Sequence, residues 1–303
     1  MSNKNLSILF TGQGSQYPEM GTELSNNFSW VKERYEQSSD ILGYDLLKKQ
    51  QNPEFLNLTE YAQPSIFIYT SILIDLIKNK IQNSSANITL AGHSLGEYSA
   101  LYYAESLNFE KMLRVVKFRG EAMSIVSNPA KYSMYAILKK EDQIIDNSIF
   151  GNGVYLANLN SDKQIVICGL RNELENFKKK YALGKYIPLN VSAPFHSELM
   201  IESSNLFENK INNVIFKDVE IDVISNHKLI NYMNISKTEY SNQLKIQIHS
   251  PVMWSDTILK IISMNVNNFI EIGPKKTLLN FIPRNFQGER IAITNNEEIE
   301  RYV

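Results

Sequence analysis

Gly92-His93-Ser94-Leu95-Gly96 is the stretch with the clearest chemistry. It follows an apolar, β-branched run, Asn87-Ile88-Thr89-Leu90-Ala91, and precedes a helix-forming run from Glu97 to Glu105. A strand, Gly-x-Ser-x-Gly and a helix in that order form the pattern of a nucleophile elbow, whose sharp turn lifts a serine hydroxyl. Glycines are needed at 92 and 96 because side chains there would collide as strand and helix close on each other. The helix that starts just past Ser94 aims unpaired N–H groups and its positive dipole end at any oxyanion formed there. Taken alone, the pentapeptide reads equally as a glycine-containing turn with a bystander serine.

A nucleophilic serine needs a base, and the chain offers four histidines. His93 adjoins Ser94, and neighbours in a turn rarely point the same way. His227 follows Ile224-Ser225-Asn226 in a loop, and His249 precedes Ser250-Pro251 at a helix end. His196 lies in Pro194-Phe195-His196-Ser197, where a strand gives way to a helix. Such junctions at the mouth of a sheet are where α/β folds place working residues, so His196 is the candidate base. The helix after Asn108, a plausible N-cap, carries Met112, Val115, Val116, Met123 and Val126 on one face. Arg119 shares that face. A guanidinium there needs an internal carboxylate, a ligand anion, or a path past the core to water. Thr11-Gly12-Gln13-Gly14-Ser15-Gln16 follows the first strand. It is a plain tight turn or an anion-holding one, and it is no P-loop, because no Gly-Lys-Ser/Thr follows.

The elements that must position these residues alternate. Leu6–Phe10 reads as a buried strand, and Phe28–Ser39 and Tyr44–Gln50 as helical pieces. A strong helix opens at Glu60-Tyr61-Ala62-Gln63-Pro64, with the proline suited to its first turn. The Ser94 strand and further helices follow, arguing for a parallel α/β sheet. The rhythm changes from Asn128 to Val191. Ser133–Leu138 reads as a strand, Glu141–Ser148 as a helix, and Gly153–Asn158 and Gln164–Cys168 as strands. Arg171–Tyr181 reads as a helix and Lys185–Val191 as a strand. This βαββαβ order is the split βαβ of ferredoxin-like units. The expected fold is α/β: a large domain of residues 1–127 and 193–303 with a central parallel sheet, and a small ferredoxin-like domain, 128–192, inserted in it. Beyond it, Val252–Lys260 reads as a helix, Asn268–Ile272 as a strand, and a helix starts at Lys276.

Composition narrows the function classes. With 43% hydrophobic and 21% charged residues the chain is a soluble globular protein. A formal net charge of -1 implies no general attraction to nucleic acid or an anionic membrane. One cysteine, Cys168, excludes an internal disulfide, fits a reducing compartment, and sits in an alternating strand as a buried residue. No stretch reads as a secretory signal or a membrane span. The expected location is the cytoplasm.

Together these pieces resemble the malonyl-CoA:acyl carrier protein transacylases and the related acyltransferase domains of polyketide synthases. The motifs that carry the resemblance are Gly12-Gln13-Gly14-Ser15-Gln16, Gln63-Pro64, Gly92-His93-Ser94-Leu95-Gly96-Glu97, Arg119-Gly120 with Met123, Asn158 with Gln164, and Pro194-Phe195-His196-Ser197. Gln247 through Pro251-Val252 to Trp254, and Glu271-Ile272-Gly273-Pro274, complete the set. The likeness runs from Leu6 to about Ile282 and implies a hydrolase-like large domain with a ferredoxin-like insertion. Asp40-Ile41-Leu42-Gly43-Tyr44 and Asn190-Val191-Ser192 look most like the freestanding, trans-acting enzymes that serve polyketide synthases.

The resemblance implies roles. Ser94 would accept malonyl from malonyl-CoA and pass it to the phosphopantetheine thiol of an acyl carrier protein, with His196 as base. A main-chain carbonyl, that of Gln247, would orient the imidazole. Gln13 and Leu95 would supply oxyanion-hole N–H groups, and Arg119 would grip the malonyl carboxylate. Phe195, with Leu95, implies malonyl over methylmalonyl, and Met123, Gln63 and Asn158 complete the substrate site. No bound cofactor, no metal, no nucleic-acid or membrane partner, and a monomer are expected. One departure stands out: Tyr132-Ser133-Met134-Tyr135-Ala136 occupies a strand where relatives carry small residues, so Tyr135 either narrows the cleft or lies on the surface. Alternatives are a hydrolase that clears stalled acyl groups from carriers, a housekeeping fatty-acid transacylase, and a non-enzymatic docking protein. Relatives that hydrolyse tend to lack the arginine.

Overall fold

The computed structural model describes residues 5–83, 87–140, 145–191 and 193–302. Strand β1 (Asn5–Phe10) is followed by helices α1 (Thr22–Asn27), α2 (Ser29–Leu42), α3 (Leu46–Lys49), α4 (Pro53–Leu56) and α5 (Thr59–Asn83). Strand β2 (Asn87–Gly92) leads into α6 (Gly96–Tyr103) and α7 (Phe109–Ser124). Next come β3 (Tyr132–Lys139), β4 (Val154–Ser161), β5 (Gln164–Leu170), α8 (Arg171–Lys180) and β6 (Gly184–Pro188). The chain closes with α9 (Ile201–Ile211), β7 (Asp222–Ile224), α10 (Tyr240–Ile248), α11 (Trp254–Ser263), β8 (Asn268–Ile272), β9 (Glu289–Ile293) and α12 (Asn296–Tyr302).

Five strands form one parallel sheet in the order β7-β2-β1-β8-β9. A parallel sheet needs cover on both faces, which is why its central strands are apolar on both. Ile8, Phe10, Leu90, Ile270 and Ile272 face the larger core with α5. Leu9, Ala91, Ile224 and Phe269 face a second core built on Trp254, Ile258 and Ile261 of α11. Every residue of α5 from Ala62 to Ile74 is buried, so this helix is central rather than amphipathic.

The second sheet is antiparallel, in the order β4-β5-β3-β6. Strand β5 thus lies between β3 and β4, as in the split βαβ arrangement. The architecture is that expected: a hydrolase-like parallel α/β sheet with a small ferredoxin-like sheet contributed by chain between α7 and α9.

Several local expectations change. The helix expected at Glu141–Ser148 falls partly on residues 141–144, outside the described residues, and the chain just beyond them makes a single 3-10 turn at Asn147–Ile149. Pro64 is not in a first turn, because α5 already begins at Thr59. The helix expected from Lys276 is a 3-10 turn at Leu278–Phe281. Strands β7 and β9, unforeseen, form the two edges of the parallel sheet. Tyr135 faces away from the cleft: its hydroxyl donates to Glu175 on α8 at 2.5 Å, and its ring packs with Ile137, Ile167 and Phe177. Its neighbour Met134 points the other way, into the cleft.

Candidate active site

Strands β1 and β2 run in register, with Phe10 opposite Gly92, so the turns after them emerge side by side at the carboxyl edge of the sheet. That register brings the Gln13 turn beside the Ser94 turn. Closure there is tight. A Cβ on Gly92 would lie 1.9 Å from the carbonyl carbon of Gly96, and one on Gly96 would lie 2.0 Å from the carbonyl oxygen of Phe10. Only glycine fits either place. Ser94 itself adopts φ 52, a left-handed conformation that a non-glycine residue keeps only when its surroundings enforce it.

The enforcement comes from Asn226, just past β7 and fully buried. Its Oδ1 accepts the Ser94 N–H at 2.5 Å and its Nδ2 donates to the Gly92 carbonyl at 2.6 Å. The backbone N–H of Asn226 in turn donates to Glu97 at 2.9 Å. Since the Ser94 N–H is taken, the elbow's free donors lie elsewhere. Among the described residues, the backbone N–H groups of Gln13 and Leu95 have no protein acceptor. A polar N–H left open at a cleft is available to a ligand oxygen.

His196 adopts φ 61 in the turn before α9 and is buried. Its Nδ1 lies 3.0 Å from the carbonyl oxygen of Gln247, and its Nε2 lies 2.7 Å from Ser94 Oγ. A carbonyl only accepts, so Nδ1 carries the proton. Nε2 is then a bare lone pair, and the Ser94 hydroxyl donates to it. No carboxylate contacts the ring among the described residues. Burial, and then the charge of Arg119, hold the His196 pKa down at about 3, so the imidazole is neutral at physiological pH.

Arg119 is 1% exposed. Its Nη1 donates to Gln63 Oε1 at 2.7 Å, and its Nη2 donates to Gln247 Oε1 at 2.9 Å and to Ser94 Oγ at 3.0 Å. All three acceptors are neutral. Among the described residues no carboxylate lies within 4 Å of the guanidinium, and its Nε has no partner. The plane also sits 5.2 Å from the Tyr98 ring centroid. Gln63 is oriented by donating to Met123 Sδ at 3.5 Å, which leaves its oxygen for the arginine.

Gln247 is a crossing point. Besides holding His196 through its carbonyl and Arg119 through Oε1, its Nε2 donates to the Ser94 carbonyl at 3.0 Å and to Glu97 at 2.8 Å. Glu97 is buried and also accepts from Tyr232 at 2.5 Å. Burial pushes its carboxyl pKa up, against the pull of its three donors and of Arg119.

These groups open onto a cavity of about 390 Å³. Gln13, Gln63, Ser94, Arg119, Met123, Asn158, Phe195 and His196 all line it. The side chains of Leu95 and Gln247 are buried and are not among its lining residues. A depression of about 820 Å³ beside α2 and α3 holds none of these residues. Glu97, Asn226 and Tyr232 are site residues that sequence reasoning missed. Glu97 did stand in the Gly92–Glu97 motif and at the start of a helix-forming run, with no role assigned to it.

Residues 8–299 match the acyl transferase domain family. The malonyl CoA-acyl carrier protein transacylase of Bacillus subtilis is 36% identical over 306 residues, covering 97% of this chain and 95% of that one. The same organism's polyketide biosynthesis transacylase PksC is 33% identical, covering 92% and 96%. Among solved structures, the malonyl CoA-acyl carrier protein transacylase of Clostridium perfringens superposes with a TM-score of 0.88 at 33% identity, covering 98% of this chain and 96% of that one. A malonyl-transacylase in complex with its type II polyketide acyl-carrier protein superposes at 0.86 with 27% identity, covering 98% of each. The chain belongs to the acyl transferase domain family and, within it, to the malonyl-CoA:acyl carrier protein transacylases.

Proposed function

We propose that the protein moves malonyl from malonyl-CoA to the phosphopantetheine thiol of an acyl carrier protein through a malonyl-Ser94 intermediate. The observation that carries this reading is Arg119: a buried cation, held by neutral acceptors 3.0 Å from Ser94 Oγ, in a cleft. Such a site favours a substrate that brings its own carboxylate, which can pair with the guanidinium fork. An acetyl group would leave the cation buried with only neutral partners.

The chemistry rests on the hydrogen bonds. His196 Nε2 takes the Ser94 proton as Oγ attacks the thioester carbonyl. The Gln13 and Leu95 N–H groups receive the oxyanion, each such donor being typically worth about 2.7–4 kcal/mol. The tetrahedral species collapses, the C–S bond breaks, and His196 returns the proton to the leaving coenzyme A sulfur. The carrier thiol then runs the same sequence in reverse. Gln247 keeps the imidazole in the required tautomer. Phe195 beside the histidine, with Met123, Gln63 and Asn158, shapes the acyl pocket for malonyl over branched analogues.

The carrier is proposed to belong to a polyketide synthase served in trans, a reading supported by the likeness to the polyketide transacylase, with a fatty-acid carrier as the alternative. We take residues 1–127 with 193–303, and 128–192, as the two domains. We also take the enzyme to act as a cytoplasmic monomer without bound cofactor. No described helix is long and apolar enough to cross a membrane. Intact-mass measurement after mixing with malonyl-CoA is the test: a malonyl adduct should form on the wild type and not on Ser94→Ala. Free malonate released without an adduct and without carrier loading overturns the transfer reading in favour of hydrolysis.

A further inference from the structure

We infer that the substrate's carboxylate switches on the base: by pairing with Arg119 it offsets the positive charge that stands across Ser94 Oγ from the His196 ring, so recognition and proton abstraction are one event. This rests on the proposed reading that Arg119 receives the malonyl carboxylate, and it goes beyond a tethering role.

Ser94 Oγ is the only atom between guanidinium and imidazole in this hydrogen-bonded line. It accepts from Arg119 Nη2 at 3.0 Å and meets His196 Nε2 at 2.7 Å. When His196 takes the serine proton it becomes a cation close to a second cation, both of them nearly buried at the edge of the cleft. A Ser-His-Asp triad relieves its imidazolium with a buried aspartate. Here Nδ1 meets the Gln247 carbonyl, a neutral acceptor.

The groups around the ring bring no negative charge to it. His93, after β2, is half-buried at the cleft, its own pKa held down by desolvation, and it opposes a charge on His196. From α10 and the turn beyond it, His196 meets the carbonyl of Gln247 and the backbone of Ser250. From α7 comes Arg119. Glu97, on α6, is engaged by Tyr232, Asn226 and Gln247, and reaches the pair only through the Gln247 amide. The resting site is therefore set for low basicity: His196 is neutral and its proton affinity is weak. A carboxylate at Arg119 changes two things in the same direction. It offsets the charge opposing imidazolium, and it draws Nη2 off Ser94 Oγ, freeing a lone pair on the attacking oxygen. His196 is already unprotonated, so a rise in its basicity that stays below the working pH speeds abstraction without loss of the free-base form.

The step balances within the groups named. The Ser94 O–H bond breaks and its proton goes to Nε2, while the Oγ–C bond forms. The C–S bond then breaks, and the proton leaves Nε2 for the sulfur. The carboxylate is unchanged throughout.

Splitting the substrate tests the idea. Acetyl-CoA supplies the thioester without the carboxylate, and sodium formate supplies a carboxylate small enough to sit beside it. Acetyl loading of Ser94, followed by intact mass, should accelerate saturably with formate by about tenfold or more, not with formamide, and not in Arg119→Gln. In Ser94→Ala, where binding leads to no chemistry, nuclear magnetic resonance titration of the His196 ring should give a midpoint about one pH unit or more higher with saturating malonyl-CoA than with acetyl-CoA. Equal midpoints, or acetyl loading indifferent to formate, overturn the inference. Failure of the underlying reading looks different: Arg119→Gln would then load malonyl as fast as the wild type.

Discussion

Asn226→Ala removes one small, fully buried side chain and should disable the site from outside it. The amide makes two bonds to the elbow, at 2.5 Å to the Ser94 N–H and 2.6 Å to the Gly92 carbonyl. In the variant the buried Gly92 carbonyl and the half-buried Ser94 N–H both lose this partner. At about 1–3 kcal/mol for each, the combined cost is about 2–6 kcal/mol, and partial relaxation puts the expected loss near the lower half. Relaxation is what harms catalysis. Ser94 sits at φ 52, a conformation costing about 1–3 kcal/mol, and Asn226 is what holds it there. Once released, the turn can relieve its strain by moving Oγ away from His196 Nε2. A displacement of about 1 Å of a reacting atom can cost on the order of 10² in rate. The assay pairs urea unfolding with stopped-flow acylation by malonyl-CoA. We expect a stability loss of about 2–4 kcal/mol and a fall of about 10² in the acylation rate of protein that remains folded. Asn226→Asp should not rescue it, because one carboxylate oxygen would face the Gly92 carbonyl oxygen and the other end would stand near Glu97. A variant that loses stability but acylates within about threefold of wild type would show that the elbow holds its own shape and that Asn226 is merely structural.

The same geometry sets other outcomes. Arg119→Ala should cut malonyl loading by about 10² or more while raising acetyl loading relative to it, read as the ratio of the two adducts by mass; an unchanged ratio refutes the carboxylate grip. Tyr135→Phe should leave the preference among malonyl, methylmalonyl and acetyl unchanged, since Tyr135 faces α8, and should cost at most about 1 kcal/mol in thermal unfolding. A selectivity change there would place the ring in the cleft after all. His196 also marks the pH dependence of stability. Its pKa falls from 6.5 to about 3 on folding, so below pH 6.5 the unfolded chain takes up a proton that the folded chain refuses. Stability from this residue is therefore full above pH 6.5 and is lost progressively toward pH 3. Between pH 7 and 5 the loss should be about 2 kcal/mol, seen as the difference in urea-unfolding free energy that His196→Gln abolishes.

The parts of the site that were legible in the chain are those carried by local constraint. Gly92 and Gly96 flank Ser94 because strand and helix close within five residues. Arg119 stands out because its helix is apolar on the same face. The bonds that complete the site are long-range. Asn226 reaches Ser94 across 132 residues and Glu97 reaches Gln247 across 150, and no spacing rule connects them. Strand β7 is three residues long, too short to show alternation, so Asn226 read as an ordinary loop residue. Tyr135 was ambiguous for a different reason. Strand β3 is apolar on both faces, Met134 and Ala136 toward the main core and Tyr135 and Ile137 toward α8. Alternation separates two faces without saying which one meets the cleft.

The placement of Glu97 explains why a dyad is the better solution here than a triad. A carboxylate against His196 Nδ1 would stabilise imidazolium, but in this cleft it would also stand close to Arg119 and satisfy it. An arginine already paired has little left to offer a substrate anion, and a second negative charge would repel one. Here the buried carboxylate is moved away from the imidazole. Glu97 binds Tyr232, the Asn226 backbone and the Gln247 amide, and Gln247 in turn accepts from Arg119. Its charge lowers the cost of burying the guanidinium without occupying the fork. His196 receives the neutral Gln247 carbonyl, enough to fix its tautomer and too little to make it a strong base. The negative charge missing from the dyad is then the one that malonyl carries, so a site poor in resident carboxylate near its histidine is suited to an acid substrate and ill suited to a neutral acyl group.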